Sequence, residues 1–368
     1  MVVVFVHTVK GKTLHTIATG LAAIAVAALL LLYPAAASTG INRGLSVCTT
    51  VIIPTLYPFM LLAAWLSDSP LCRQAGRLST AVTGRLFGLP GCCGPAILLS
   101  MVGGYPAGAL ATARLREQGL VTDKQVAQMT AFCVGGGPGF IISTVGAGLM
   151  GSTKAGILLY LSHIAVSLLI GIGLGRGQKS HATPVVSLLS SPRPPAQMVA
   201  DTCAALLTMS GFVVLSATVL SLWEAVGLPH ALHHLLGWQP AHSSALLAAV
   251  LEVSCGCIAL AGTGSLAPLW LSLCLSWGGL SVQGQLAAAL KPYPVLTPAF
   301  WKWRLLHGVG SGLLSLLLFR LFPVRLPTGA TNTVPLPFSV SATASFMLLF
   351  LTFLAMLCFS EKKTGKTV

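Results

Sequence analysis

One carboxylate stands out in this chain. Glu252 lies within Leu251-Glu252-Val253-Ser254-Cys255-Gly256-Cys257 and is the only acid between Ala245 and Ala261. An isolated carboxylate in an apolar run is costly unless paired, hydrated or protonated, and at membrane depth its default role is functional. It could bind a coupling proton or Na⁺, or accept hydrogen bonds from a solute, with the Ser254 hydroxyl beside it. The alternative is a protonated acid satisfied by a neighbouring helix. Three Gly-rich strings carry the remaining polar chemistry. In Gly103-Gly104-Tyr105-Pro106-Ala107-Gly108, the proline lacks an N–H and glycine tolerates non-helical dihedrals, so a turn would leave free backbone groups at its tip. Tyr105 adds an aromatic face and one hydroxyl. A kinked helix packed through small residues is the competing reading. In Gly135-Gly136-Gly137-Pro138-Gly139-Phe140, a helix has little chance of continuing. A half-helix starting near Pro138 would aim its N–H groups and positive dipole end at an anionic ligand, with Gly136 and Gly137 contributing backbone. Trp277-Gly278-Gly279-Leu280-Ser281-Val282-Gln283-Gly284-Gln285 supplies a hydroxyl (Ser281) and two amides (Gln283, Gln285) suited to fixing a polar solute.

These strings must be held by helices. Full-length spans are predicted at about 17–37, 48–66, 127–150, 155–174, 199–222, 266–287, 305–322 and 338–359, from apolar runs of the length that crosses a bilayer. Two further stretches, 89–113 and 241–262, are interrupted at their middles and read as hairpins that enter and leave by one face. Each arm is about ten residues, or roughly 15 Å of helix, enough to reach mid-bilayer. The expected fold is an all-α polytopic membrane protein. It comprises an N-terminal helix and loop (1–47), a first repeat (48–175), a Pro-rich linker (176–197), a second repeat (198–325) and a C-terminal helix with a basic tail (326–368). In each repeat the order is span, amphipathic stretch, hairpin, broken span, span. The entry side is reversed in the second, as in inverted-topology transporters whose sites form near the midplane from broken helices.

Composition bounds the class. Of 368 residues, 55% are hydrophobic and 8% charged, against about 25% charged in soluble domains. A soluble enzyme, a secreted disulfide scaffold and a nucleic-acid-binding domain are therefore excluded as main readings. The net charge of +14 has a simpler use. With both hairpins re-entrant, both termini lie inside, and of 21 Lys and Arg only Arg43, Lys154, Arg320 and Arg325 fall outside, a strong positive-inside bias. Trp301-Lys302-Trp303-Arg304 reads as an interfacial anchor, His230, His233 and His234 as part of an interfacial helix, and Arg73 and Arg77 as contacts to lipid phosphates. Ala35-Ala36-Ala37-Ser38 imitates a signal-peptide cleavage site, although a retained first helix fits the many spans that follow. Ten cysteines include no C-x-x-C pair, so neither disulfides nor a zinc site follow. Gly146-Ala147-Gly148-Leu149-Met150-Gly151 matches G-x-G-x-x-G but follows no strand, and no hydrolase or Walker A string is present. No enzyme activity, metal or cofactor is expected. The expected partners are a small-molecule substrate, the lipid bilayer and a coupling ion (H⁺ or Na⁺), with no nucleic acid and a homo-oligomer left open.

The strings SMVGGYPAGA (100–109), FCVGGGPGFIISTVG (132–146), LEVSCGC (251–257) and LSWGGLSVQGQ (275–285) resemble the YlbJ-type sporulation integral membrane proteins. These belong to the nucleoside-recognition (Gate) superfamily, which is similar to concentrative nucleoside transporters. The resemblance covers roughly 40–322. Glycines 135–137 stand where a polar side chain is expected beside the proline, so this segment would contribute backbone. The resemblance implies a multi-pass protein of the outer forespore membrane that moves dipicolinic acid out of the mother cell during sporulation. A nucleoside or other small solute would fit the same Ser and Gln set, and a non-transporting scaffold for spore-envelope assembly is the alternative of a different kind.

Overall fold

Pro34 sets the first helix boundary. Its ring disfavours the helical region for the preceding residue, and Tyr33 takes φ −125°, ψ 56°. Helix α1 (Ala23–Leu32) ends there and α2 (Pro34–Leu66) begins. The structure, a computed structural model, describes residues 20–21, 23–68, 79–178, 194–237 and 239–324. The predicted span over 17–37 is thus divided at Tyr33, and the loop expected after it is helical, joined with the predicted span 48–66 in one helix that has Ala35 to Ser38 in its first turns. The reason is packing on α8 (Pro195–Ala225). Gly40 and Gly44 let the two backbones touch: a Cβ would stand 2.6 Å from Thr218 Cα at the first and 2.6 Å from Val214 Cα at the second. This is the close approach that small residues four apart permit between membrane helices.

Helix α3 covers residues 79–87 and stops at Gly88, which is left-handed. Helix α4 (Cys93–Glu117) reverses at Gly104, whose φ of 75° and ψ of −159° only glycine adopts readily. Its arms, α4a (93–103) and α4b (105–117), fold back on each other. Ser100 and Gly108 would be about 12 Å apart along a straight helix, yet a Cβ on Gly108 would stand 2.8 Å from Ser100 Cβ. Helix α5 (Asp123–Phe132) starts in a capping box made by Thr122 and Gln125. Residues 133–137 are not helical, and the π-helical α6 (Gly139–Leu149) follows. Helix α7 (Thr153–Gly175) completes this half, capped by Ser152. Gly146 of the G-x-G-x-x-G string has a packing role: a Cβ there would stand 2.2 Å from Gly156 Cα on α7.

After α8 come α9 (Leu228–Leu236), which carries the three histidines, and α10 (Pro240–Leu251). Glu252 is extended, at φ −152°, ψ 133°, and α11 (Val253–Leu260) turns back: a Cβ on Gly256 would stand 2.5 Å from Ala249 Cα. Helices α12 (Ala267–Trp277) and α13 (Gly279–Ala289) are separated by Gly278 and Gly279, with φ of 76° and 77°. Helix α14 (Pro298–Leu321) ends the described chain, capped by Thr297. Helix α2 packs along α8, α7 along α14, and α12 along α14.

Every regular element among the described residues is helical. Five stretches of the described residues are long and apolar enough to cross a membrane: Pro34–Leu66, Thr153–Gly175, Pro195–Ala225, Gly264–Ala289 and Pro298–Leu321. Leu169, Leu207 and Leu313 on three of them are 60–74% exposed, which suits a lipid-facing surface. The predicted broken span 127–150 is two helices of 10 and 11 residues, parted where the glycines precede Pro138. The span 338–359, Arg73, Arg77 and most of the 176–197 linker lie outside the described residues.

The α2–α8 contact predicts an asymmetry between glycines. Gly44→Leu should cost about 1–3 kcal/mol through overpacking and lower the melting temperature of the detergent-solubilised protein. Gly211→Ala, on the same α8 but with nothing within 4 Å, should leave it nearly unchanged.

Candidate functional site

A helix that breaks inside a membrane strands its last carbonyls and first N–H groups, and each needs a partner. At the end of α12 the last four carbonyls are all taken. Cys274 O accepts from Gly278 N at 2.9 Å, and Leu275 O accepts from the Tyr105 hydroxyl. Ser276 O accepts from Arg304 Nη1 at 3.5 Å, and Trp277 O accepts from Gln283 Nε2 at 3.4 Å. At the end of α5, Met129 O accepts from Cys133 N at 2.6 Å and Phe132 O from Ser167 Oγ at 2.5 Å. Arg304 takes two more, donating from Nη2 to Ala131 O at 2.5 Å and from Nη1 to Val134 O.

Arg304 is therefore not the interfacial anchor its neighbours suggested. It is 1% exposed and joins the carbonyl ends of two broken helices, whose dipoles supply the compensating negative charge. Trp301 and Lys302 are exposed, as an anchor requires. Among the described residues the one salt bridge is elsewhere, between exposed Arg116 and Asp123 at 2.5 Å. The signal for Arg304 was its register. Arg304, His307, Ser311 and Ser315 recur at helical spacing and all are buried, forming a polar stripe on α14. Ser311 meets Ser276 at 3.1 Å and Ser315 meets Ser272 at 3.2 Å on α12. His307 Nε2 donates to His163 O at 2.9 Å. His163, on α7, accepts at Nε2 from Gly136 N at 3.2 Å, so an imidazole satisfies the broken segment's N–H.

The tips of the two fold-backs sit on the two breaks. A Cβ on Gly104 would stand 2.8 Å from Gly137 N, and one on Gly279 would stand 2.8 Å from Glu252 Cα. Only glycine allows such approach. Gly103 packs against α2 and Ala107, and Pro106 lies in the first turn of α4b. Pro138 forms the N-cap of α6. Glu252, 2% exposed, caps α11: its Oε2 accepts from Cys255 N at 2.8 Å. Trp277 ties this tip to the second break by donating from Nε1 to Val250 O at 3.3 Å.

These elements enclose a cavity of about 20 Å³ walled by Gly104, Tyr105, Gly137, Glu252, Ser254 and Gln285, with apolar side chains from α2 and α8 between them. Residues from all four sequence strings thus meet at one place. Gly103, Gly136, Pro138, Gly278, Gly279, Ser281 and Gln283 are not among its walls. Ser281 is buried with an unpartnered hydroxyl, and Gln283 turns away, its Oε1 accepting from Trp301 Nε1 at 3.0 Å. The N-terminal ends of α6 and α11 face the cavity through Gly137, Phe140, Val253 and Ser254, while the C-terminal ends of α5 and α12 face Arg304. Chemically, the site offers helix N-termini, one carboxyl group, one amide and two hydroxyls inside an apolar shell.

The chain is 27% identical over 321 residues to sporulation integral membrane protein YlbJ of Bacillus subtilis (strain 168), a match that covers 78% of this chain and 79% of that protein. No protein-family model matches the chain, and no solved structure matches it at a significant level.

Arg304→Met should strand carbonyls at both breaks. Unsatisfied buried groups cost about 1–3 kcal/mol each, so a clear drop in melting temperature in detergent is expected. Arg304→Lys should recover only part of it, because an ammonium cannot span carbonyls on two helices as the planar fork does. A Met variant as stable as the parent would contradict this bridging role.

Proposed function

We propose that this protein is a secondary transporter of a small anionic solute in a sporulation membrane, with dipicolinic acid as the solute. The observation that carries the proposal is the convergence of two fold-back tips and two broken helices on one buried cavity, with helix N-termini turned toward it and C-termini turned away. Such ends favour an anion. The likeness to YlbJ, by its name, supports a sporulation membrane.

In this reading α4a–α4b and α10–α11 are re-entrant hairpins that dip into the bilayer from opposite faces. The order α2, α3, α4, α5–α6, α7 recurs as α8, α9, α10–α11, α12–α13, α14. The equivalent pairs α2–α8 and α7–α14 lie side by side, as a two-fold axis in the membrane plane would require. Both termini are cytoplasmic, and the outer forespore membrane is the site of action.

A cavity of about 20 Å³ holds about one water, so the site is in a closed form and solute binding requires the tips to part. An ionised Glu252 would repel an anion in so small a space. Glu252 is therefore the coupling site, protonated or paired with Na⁺ when the anion is bound. The Ser254 hydroxyl and Gln285 amide fix the solute's polar edge.

Proteoliposomes tested for flux of labelled dipicolinate and of nucleosides, with and without H⁺ and Na⁺ gradients, decide between the readings. Dipicolinate flux driven by one gradient is expected. Glu252→Gln should insert normally, because the amide oxygen can still accept from Cys255 N–H, and should lose gradient-driven flux to below about a tenth, a loss of about 1.4 kcal/mol or more in the coupled step. Nucleoside flux alone would reassign the solute, and no flux of either would favour a non-transporting scaffold.

A further inference from the structure

Two more cavities are walled by the chain that runs on from the inner one's walls at Tyr105 and Gln285. The nearer, about 260 Å³, follows the seam between α4b and α13, with walls that include Ala109, Leu110, Val134, Thr208, Leu286 and Ala289. The farther, also about 260 Å³, is walled by Ala113, Arg116, Asp123, Leu290, Lys291 and Tyr293, among others. On α4b the wall positions advance from Gly104 and Tyr105 to Ala109 and then to Arg116. On the facing chain they advance from Val282 and Gln285 to Ala289 and then to Lys291. From Gly104 to Arg116 is about 18 Å of helix, roughly half the thickness of a bilayer's hydrocarbon core. The far end carries charge of both signs, from Arg116, Glu117, Asp123 and Lys291, with Arg116 paired to Asp123, and the middle is apolar except for Tyr105, Thr208 and Gln285.

The inner and seam cavities share three walls: Tyr105, Val282 and Gln285. Of these, Tyr105 is held across the seam, its hydroxyl donating to Leu275 O on α12. Its ring lies beside Gly278, where a Cβ would stand 3.5 Å from Tyr105 Cε1. Tyr105 is thus a flat side chain in a shared wall, held by burial and by one hydrogen bond.

We propose that the α4b–α13 seam is the path by which solute reaches the inner cavity, from the end bearing Arg116 and Lys291, and that Tyr105 is the gate between them, latched on Leu275. This deepens the transporter reading and rests on it. The seam suits a solute with a flat apolar face, which can lie against Leu110, Val134 and Leu286, and with a polar edge, which meets groups of both charges at the mouth. Tyr105 also completes the carbonyl set at the end of α12, so the latch and the helix end are coupled: opening the gate frees Leu275 O for a hydrogen bond from water or solute.

Thiol accessibility tests this without reference to flux. Cys72, Cys203 and Cys358 are replaced by Ser, and Ala109→Cys or Ser254→Cys is introduced into the full chain in oriented membrane vesicles. A charged, membrane-impermeant maleimide should label Ala109→Cys from the face bearing Arg116 and Lys291 only, and Ser254→Cys slowly. Adding Tyr105→Phe should accelerate labelling of Ser254→Cys about three- to tenfold, the change expected for losing one hydrogen bond. Gln283→Leu, which uncaps the neighbouring Trp277 carbonyl, controls for general loosening and should not accelerate it. Should Tyr105→Phe fail to insert, Val282→Ala, which thins the same wall, should produce the acceleration instead. The proposal is overturned if Ala109→Cys reacts only with a lipid-soluble maleimide, if neither wall variant accelerates labelling, or if Gln283→Leu accelerates it equally. Labelling as expected in a protein that moves neither dipicolinate nor nucleosides would keep the gated path and remove the transporter reading. Flux without the labelling pattern would do the reverse.

Discussion

A guanidinium placed between two helix ends organises this molecule. Breaking a helix in an apolar environment leaves carbonyls that water cannot reach, and the protein does so twice, at the ends of α5 and α12. Arg304 from α14 answers both, reaching Ala131 and Val134 on one side and Ser276 on the other. The cation in turn needs negative charge, and the two helix dipoles provide it without a carboxylate. The breaks and the arginine therefore require each other. Removing one leaves the other as an uncompensated buried group.

From that pairing the electrostatic layout of the centre follows. With the carbonyl ends drawn to one place, the starts of α6 and α11 are left facing another, and the small cavity lies there. Glu252 sits at the boundary of these two regions. It caps α11 through Cys255 N–H and also walls the cavity, so the one carboxyl group at the site is also the one that holds a fold-back tip in shape. His163 plays a quieter version of the same part, accepting from Gly136 N–H at the other break. Because neutral or backbone groups complete most of these contacts, the tips can rest glycine-to-backbone on the breaks with little space between them.

Much of this is legible in the residue types alone. Three glycines followed by Pro138, and Gly104 ahead of Pro106, announce chain reversal or interruption by local chemistry alone, and the interruptions fall there. Glu252 was conspicuous because nothing else in its stretch is charged. Arg304 was misread because it follows Trp301, Lys302 and Trp303, a sequence that suits a membrane surface. Only the rotation of α14 puts one of these four side chains inward. The two amides show the same limit. Gln283 and Gln285 are two residues apart, about 200° around a helix, so one cavity cannot receive both. Gln285 lines it, and Gln283 bonds Trp301 and Trp277.

What the sequence determined by itself was the need for apolar surroundings, the helical class and the places where helices stop, since these follow from side-chain polarity, from glycine's freedom and from proline's missing N–H. What only the tertiary structure decided was which distant groups complete each stop. Tyr105 finds Leu275, and Arg304 finds Val134, each across 170 residues of chain. Such pairings depend on how separate helices turn and how closely glycines let them approach, and no local pattern encodes a rotation about another helix's axis.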